Sequence, residues 1–401
     1  MVLVEEAEKL ILQQSRDFGT EMVSFDQCLG RVLAEPIAAD RDLPPFNRVT
    51  MDGIAIQSAD FRSGFRSFQI RATQSAGEEP FTLDQPGDCI EIMTGAVLPA
   101  SADAVIPYED INIFGTVAQV RALEVTPHQN IHLRGKDKRK DDVLVEAGRL
   151  VTPAEISVAA AVGKTRMLVY SKPRCVVVST GDELVAIEET PTPYQIRRSN
   201  NYALQAALSQ FGITPDVLHL PDDKAYITAQ LEICLDRYDV ILMSGGVSMG
   251  KFDYVPASLE ALSVTRSFHK VRQRPGKPFW FGTHARGTLV FAFPGNPVAT
   301  FMCFYRYFIP WLKGCWKLKT QRPHAVLGED FTFTPFLQYF VQVRLRFDAG
   351  GTLVATPLEG NGSGDFANLL LTDGFLELPA DRNAFKKGEI FPIWAFKDII
   401  R

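Results

Sequence analysis

Hydrophobic and polar positions change rhythm along the chain. From residue 4 to 18, Ala7, Leu10, Ile11 and Phe18 recur at helical spacing and predict an amphipathic helix. Residues 43–53 form a proline-led loop that runs into a short strand at Ile54-Ala55-Ile56. From 68 to 125 short alternating runs are cut by turn residues, which predicts a small β domain. Thr152-Pro153-Ala154-Glu155 offers an N-cap, a Pro at N1 and a Glu at N3, so a helix starts there and ends near Gly163. From Pro173 the pattern alternates: strands over 174–179, 217–220 and 238–242, helices over 201–211, 225–235 and 298–313. Strand and helix in alternation require a mostly parallel sheet with crossover helices. After about Gln321 the β pattern returns, at 341–347, 353–357, 375–378 and 390–393. There is no internal repeat.

Composition narrows the class. The 401 residues suffice for two to four domains, and 46% are hydrophobic, so a large core forms. Lys and Arg total 42 against 47 acids, a net charge of −5, which argues against a general nucleic-acid binder. The six cysteines form no CxxC and fit a reducing, cytoplasmic setting rather than a disulfide framework. The most apolar run, 298–312, is broken by Arg306 and Pro310 and does not suit a membrane span.

The candidate chemistry lies where strands end. Met243 to Val255 reads MSGGVSMGKFDYV. Gly245 and Gly246 permit backbone angles that a Cβ forbids. Their N–H groups, with the hydroxyls of Ser244 and Ser248, can line an anion-binding concavity. Alone, such a segment is equally a tight turn. Its weight comes from Arg274-Pro275-Gly276-Lys277-Pro278 and Pro294-Gly295-Asn296-Pro297, which belong to the same sheet edge. Ligands of open α/β sheets bind at that edge. Glu183, Asp222, Asp223 and Asp253 follow predicted strands, and carboxylates beside phosphate-cradling turns suit Mg²⁺. Taken singly, each is more often an N-cap or a surface charge. Arg274 and Lys277 frame a turn and can hold an oxyanion, or are exposed turn charges. His128 and His132 are spaced i, i+4 but lack a third ligand, so no transition-metal site is expected. The charged run 134–142 reads as a solvated face. Neither GxSxG nor a Walker A loop is present.

Together the segments PPFNRVTMDGIAI, IMTGAVLP, ADAVIPYED, RGKD, STGDEL, SGGVSMGKFD, RPGKP and FPGNPVA, in this order, resemble the molybdopterin molybdotransferase family, which is related to the E domain of gephyrin. The resemblance covers nearly the whole chain. It implies an enzyme that inserts molybdate into adenylylated molybdopterin and releases AMP, as a cytoplasmic homodimer that uses Mg²⁺. It implies a discontinuous N-terminal domain (1–50 and 140–172), a β lid (51–139), a central α/β molybdopterin-binding domain (173–321) and a C-terminal β-barrel (322–401). By resemblance, Asp52 and Thr94 face the site from the partner subunit. Glu183, Asp222 or Asp223, and Asp253 line it. Ser244, Gly245, Gly246, Ser248, Gly276, Pro294, Gly295, Asn296 and Pro297 cradle the cofactor, and Arg274, Lys277 and Ser363 lie near molybdate. The family also implies transient contact with the adenylyltransferase and with molybdoenzyme chaperones. This sequence departs from the family at Val49 and Thr50, at Lys136, and at Gln342, where an Arg is common. Arg344 and Arg346 keep that face but shift the group by roughly 6–7 Å. The alternatives are an adenylyltransferase-related activity, which uses similar SGG and PGNP turns in a much smaller protein, and a non-catalytic scaffold of the gephyrin E type.

Overall fold

The structure is a computed structural model that describes residues 1–247 and 253–397. The chain divides into two compact units. One joins residues 1–34 and 148–152 to those from Met167 onward; the other comprises 35–147 and 153–166. The first unit opens with helix α1 (Val4–Leu12), whose Val4, Ala7 and Ile11 are buried. The helix stops short of Phe18 because tertiary contacts claim the next residues. Trp311 Nε1 donates to the Gln14 carbonyl at 3.1 Å, and Phe18 meets the Trp311 ring edge-on at 6.0 Å.

The second unit is a curled sheet of β1 (Gly53–Ile56), β2 (Ser67–Gln74), β3 (Asp88–Ile92), β4 (Ala104–Pro107), β5 (Ile111–Phe114) and β6 (Val117–Val120), in the order β4-β1-β3-β2-β6-β5. Apolar side chains cover both faces, Ile54, Ile56 and Phe68 on one and Ala55, Ile90 and Ile92 on the other. A Cβ on Gly53 would lie 1.9 Å from the Ile106 carbonyl oxygen, so β4 approaches β1 only because the residue after Asp52 is glycine. Helix α2 (Pro153–Ala161) belongs to this unit and starts at the expected proline. His132 lies between Asp137, with Nε2 2.8 Å from Oδ1, and Arg48, with Nδ1 3.2 Å from Nη2. Both of its ring nitrogens thus have side-chain partners.

The centre of the first unit is a sheet of β7 (Cys175–Thr180), β8 (Asp216–Leu220), β9 (Val240–Ser244), β10 (Thr265–His269), β11 (Trp280–Thr283) and β12 (Leu289–Phe293), ordered β8-β7-β9-β12-β11-β10. The first four run parallel, and β11 and β10 add an antiparallel edge. Crossover helices α3 (Ser199–Ser209) and α4 (Lys224–Arg237) match the predicted stretches within two residues at either end. Helices α5 (Val255–Ala261) and α6 (Pro297–Cys303) complete the layers. Register does the positioning. Thr180 pairs with Leu220, Ser179 with Ser244, and Ser244 with Phe293, so these strands end level and their turns meet.

The helix predicted over 298–313 continues past α6 with a π-helical stretch at Phe304–Phe308 and an α-helical end at Ile309–Cys315. Pro310 explains the break in hydrogen bonding: it has no N–H and its ring crowds the carbonyl four residues back, that of Arg306. The C-terminal strands are β13 (His324–Leu327), β14 (Gln338–Phe347), β15 (Leu353–Pro357), β16 (Gly374–Leu378) and β17 (Ile390–Ala395). They run β14-β15-β13-β17-β16, and β16 pairs back to β14, closing a five-stranded barrel around Leu327, Val341, Val343, Leu376 and Ile393. The expected fold class, a mostly parallel α/β centre with a β unit and a terminal barrel, is the observed one.

Candidate functional site

Where the parallel strands end, their turns enclose a cavity of about 330 Å³. The turn after β9 forms one wall. Gly246 has φ +70°, and a Cβ there would lie 2.6 Å from Thr180 Oγ1 and 2.7 Å from a Val255 methyl, so no other residue fits without moving β7 or α5. The turn after β12 packs on it: a Cβ on Gly295 would stand 3.5 Å from Gly245 Cα. Pro294, Gly295 and Asn296 line the cavity with Gly245 and Gly246. Ser248 lies outside the described residues.

Glu183, Asp222 and Asp253 line the same cavity. The Asp222 N–H donates to Asp182 Oδ1 at 3.0 Å. Burial, and the charges of Asp182, Glu183 and Asp253, hold the Asp222 carboxyl above the usual carboxylate range. Carboxylates crowded into one cavity raise the cost of ionising any one of them. Asp223 has another task. It stands at the N-cap of α4, and its Oδ1 accepts the Tyr226 N–H at 2.7 Å. Of the two adjacent aspartates, Asp222 alone is on the cavity wall. Among the described residues, no three His, Cys, Asp or Glu side chains form a ready-made metal cage. Mg²⁺ needs none, since it keeps waters and shares phosphate oxygens.

Sequence reasoning missed Asn200. Its Nδ2 donates to Ser244 Oγ and to the Gly295 carbonyl, each at 2.7 Å, and lies 3.4 Å from Thr300 Oγ1. One amide therefore joins the two glycine turns. Thr300 Oγ1 also donates to the Pro294 carbonyl at 2.5 Å, and Asn296 Nδ2 donates to Ser363 Oγ at 2.8 Å. The signal was the pair Asn200-Asn201 at a helix start, where short polar side chains reach backbone groups beyond the helix.

The chain matches three family models end to end: "MoeA N-terminal region (domain I and II)" over residues 2–163, "Probable molybdopterin binding domain" over 176–314, and "MoeA C-terminal region (domain IV)" over 324–396. A molybdopterin molybdenumtransferase from Synechocystis sp. is 38% identical over 399 residues, 99% of this chain and 100% of that protein. The chain belongs to the molybdopterin molybdenumtransferase family. A molybdenumtransferase from Staphylococcus epidermidis is 31% identical over 98% of this chain and 95% of its own length. The solved structure of a molybdopterin biosynthesis moeA protein from Pyrococcus horikoshii OT3 superposes with a TM-score of 0.84 at 27% identity, over 99% of this chain and all of that one.

Other residues of this molybdenumtransferase family member fall outside the cavity walls. Arg274 points its guanidinium over the rings of Phe333 and Tyr339, 5.6 and 6.0 Å from their centroids. Lys277 is exposed, and its carbonyl accepts the Val271 N–H at 2.9 Å. Gly276 sits in the tight turn between them, and Pro278 is the residue of that turn that reaches the cavity. Gln342, on β14, accepts from Thr372 Oγ1 at 3.1 Å. Arg344 and Arg346 are exposed on the same strand face.

In the second unit Asp52 and Thr94 form a pair. Asp52 Oδ1 accepts the Thr94 N–H at 2.6 Å and the Thr94 hydroxyl at 2.7 Å. Those bonds hold its carboxyl below the usual carboxylate range. The MDG and MTG segments, far apart in sequence, thus present one ionised, oriented carboxylate.

Proposed function

We propose that the chain inserts molybdenum from molybdate into adenylylated molybdopterin and releases AMP. The observation that carries this reading is the meeting of the SGG and PGNP turns with Glu183, Asp222 and Asp253 in one cavity. A pyrophosphate ester must be anchored and neutralised before it is split. Backbone N–H groups of Gly246 and Gly295 serve to anchor, the Gly245 N–H being taken by the Phe293 carbonyl at 3.2 Å, and Asn200 keeps their turns in register. The fit for Mg²⁺ rests on oxygen donors and on the raised Asp222 carboxyl: Glu183, Asp222 and Asp253 would hold the ion. When bound, it supplies charge neutralisation at the phosphoryl oxygens.

Asp52 and Thr94 belong to this proposal as residues that face the site across a homodimer. So do Arg274, Lys277 and Ser363, as the ligands of molybdate. Their geometry supports Ser363 best, since its Oγ already touches the Asn296 amide of the PGNP turn. The four-domain division at residues 51, 140, 173 and 322 and a cytoplasmic setting complete it. No helix among the described residues is long and apolar enough to cross a membrane. The test is AMP release by purified protein from adenylylated molybdopterin, with molybdate and Mg²⁺. Turnover is expected to vanish in Glu183→Gln and Asp253→Asn while far-ultraviolet circular dichroism is unchanged. Near-normal AMP release by either variant at saturating Mg²⁺ contradicts the metal assignment.

A further inference from the structure

The second unit carries a charged cluster of its own. The short strands Arg48–Val49 and Ile131–His132 pair antiparallel, with Val49 opposite Ile131 and Arg48 opposite His132. Val49 and Ile131 are buried, so Arg48 and His132 point to the other side. Arg48 also forms a bridge to Val97, and the Val49 carbonyl accepts the Gly95 N–H at 2.9 Å. Three adjacent segments thus set Arg48 and His132 beside the loop that carries Thr94, the residue bonded to Asp52.

Donor and acceptor roles fix the protonation state of His132. Arg48 Nη2 lies 3.2 Å from Nδ1, and Asp137 Oδ1 lies 2.8 Å from Nε2. A guanidinium only donates, so Nδ1 must accept. An ionised carboxylate only accepts, so Nε2 carries the hydrogen. The ring is therefore neutral and in one tautomer, with a cation on one side and an anion on the other. Among the described residues, Arg48 and Asp137 are the charged groups in contact with it. Lys136 is exposed in the same loop, and Arg134 is drawn away by Asp42 at 2.7 Å, a carboxylate that also accepts the Lys140 N–H at 3.0 Å. Arg48 pairs with no carboxylate among the described residues. Its guanidinium is exposed, and the ring takes one of its five donors.

We propose that Arg48 is a substrate-binding residue that holds a tetrahedral oxyanion, and that neutral His132 is the positioning residue that aims it. This rests on the proposed reaction, in which the face of Asp52 meets the cavity, and it adds a cation to that face. The oxyanion is a phosphate of the adenylylated pterin or molybdate itself, and the guanidinium fork matches either. A neutral ring gives Arg48 an acceptor without cancelling its charge, which a carboxylate in the same place would do. Protonation undoes the arrangement. With hydrogens on both nitrogens the ring keeps Asp137, has no lone pair for Arg48, and turns a like charge toward it. The new charge arises beside Asp137 on a solvated surface, so an anion further away gains little from it, whereas Arg48 loses a directed bond. Histidine changes charge between about pH 5 and about pH 8, so Arg48 loses its aim as pH falls through that window.

Calorimetric titration of the full-length protein with adenylylated molybdopterin and, separately, with molybdate tests this at about pH 8 and about pH 5.5. At the higher pH, Arg48→Gln is expected to weaken one of the two ligands by about tenfold or more, and that ligand identifies the oxyanion. His132→Phe keeps a ring and removes both hydrogen bonds, so it is expected to weaken the same ligand. His132→Gln keeps an acceptor and a donor and cannot gain a charge, so it is expected to bind more tightly than His132→Phe. Between the two pH values wild type is expected to lose more affinity than Arg48→Gln or His132→Gln. Nitrogen NMR of histidine-labelled protein reads the tautomer directly. The chain has six histidines, and the His132 signal is the one absent from His132→Gln. It is expected to show hydrogen on Nε2 alone at the higher pH. Hydrogen on Nδ1, neither ligand weakened in Arg48→Gln, His132→Phe binding as wild type does, or an equal loss with pH in wild type and His132→Gln would each overturn the inference. AMP release with ligand binding indifferent to Arg48 refutes the inference alone. Arg48-dependent binding without AMP release refutes the reaction alone.

Discussion

At the scale of single residues, the site is held by a few side chains with fixed donors. Asn200 is the plainest. Its Nδ2 has two hydrogens, and the two partners at 2.7 Å, Ser244 Oγ and the Gly295 carbonyl, use both. Asn200→Ala leaves the Gly295 carbonyl without that donor and is expected to destabilise the protein by about 1–3 kcal/mol, read by chemical denaturation. Asn200→Asp is expected to lose more turnover than Asn200→Ala, because a carboxylate would face a carbonyl oxygen. Equal AMP release by the two variants contradicts the clamp. Asp222 behaves in the opposite sense. Its folded-state carboxyl is raised above its unfolded value by burial and neighbouring acids, so its ionised form is disfavoured in the fold. That penalty is absent below the unfolded value, grows as pH rises through the folded value, and is complete above it. Asp222→Asn is therefore expected to melt higher than wild type at neutral pH, to lose that advantage in acid, and to be inactive. A lower melting temperature at neutral pH, without added metal, counts against the like-charge account.

At the scale of elements, Arg306 ties three of them together. It lies in the π-helical stretch and is 0% exposed. Its Nη2 donates to Glu8 Oε2 on α1 at 3.0 Å, and its Nε stands 3.0 Å from Glu377 Oε2 on β16. The Nε contact is an ion pair too bent to count as a hydrogen bond, since Nε is without a hydrogen-bond partner. Glu377 also accepts from Trp394 Nε1 at 2.7 Å and from Gln338 Nε2 at 2.5 Å. Arg306→Met strands a buried carboxylate and is expected to cost about 3–5 kcal/mol, with Arg306→Met/Glu377→Gln recovering part of it. A double variant no more stable than the single one would place the cost in packing instead. None of this was legible in the sequence, where Arg306 is merely an interruption of an apolar run. Elements with a strong period were legible: the pattern over 353–357 coincides with β15, and α3 and α4 fall within two residues of prediction. What escaped depends on distant partners. β10 and β11 are separated by residues 270–279, which carry the Arg274–Pro278 turn but no tight hairpin, so their antiparallel pairing does not show locally, and α1 ends early because Trp311 captures the segment after it. The same holds for the site. Glu183, Asp222 and Asp253 follow strands and could be picked out, whereas Thr180 and Asn200 matter only once the register of β7, β9 and β12 brings their turns level.

At the scale of the whole molecule, the question is what completes the acidic cavity. The carboxylate of Asp52, oriented by Thr94, belongs to one compact unit, and the cavity with Glu183 belongs to the other. In the homodimer we propose, Asp52 of one copy would stand at the cavity of the second. A closed twofold pair would then carry two equivalent sites, each built from both copies. Asp52→Asn and Glu183→Gln are each expected to be inactive alone, since every site in such a dimer lacks one carboxylate. Mixed and allowed to exchange, they form heterodimers in which one site carries both substitutions and the other carries none. Random pairing makes half of the dimers mixed, with half of their sites intact, so AMP release is expected to return to roughly a quarter of wild type. If each copy instead completed its own site, every site in every pairing would keep one defect and mixing would restore nothing. Exchange must be checked independently, by mass spectrometry of dimers labelled with different isotopes. Exchange without recovered turnover would place Asp52 and Glu183 in the site of a single copy. A monomer by light scattering at micromolar concentration would remove the shared site altogether.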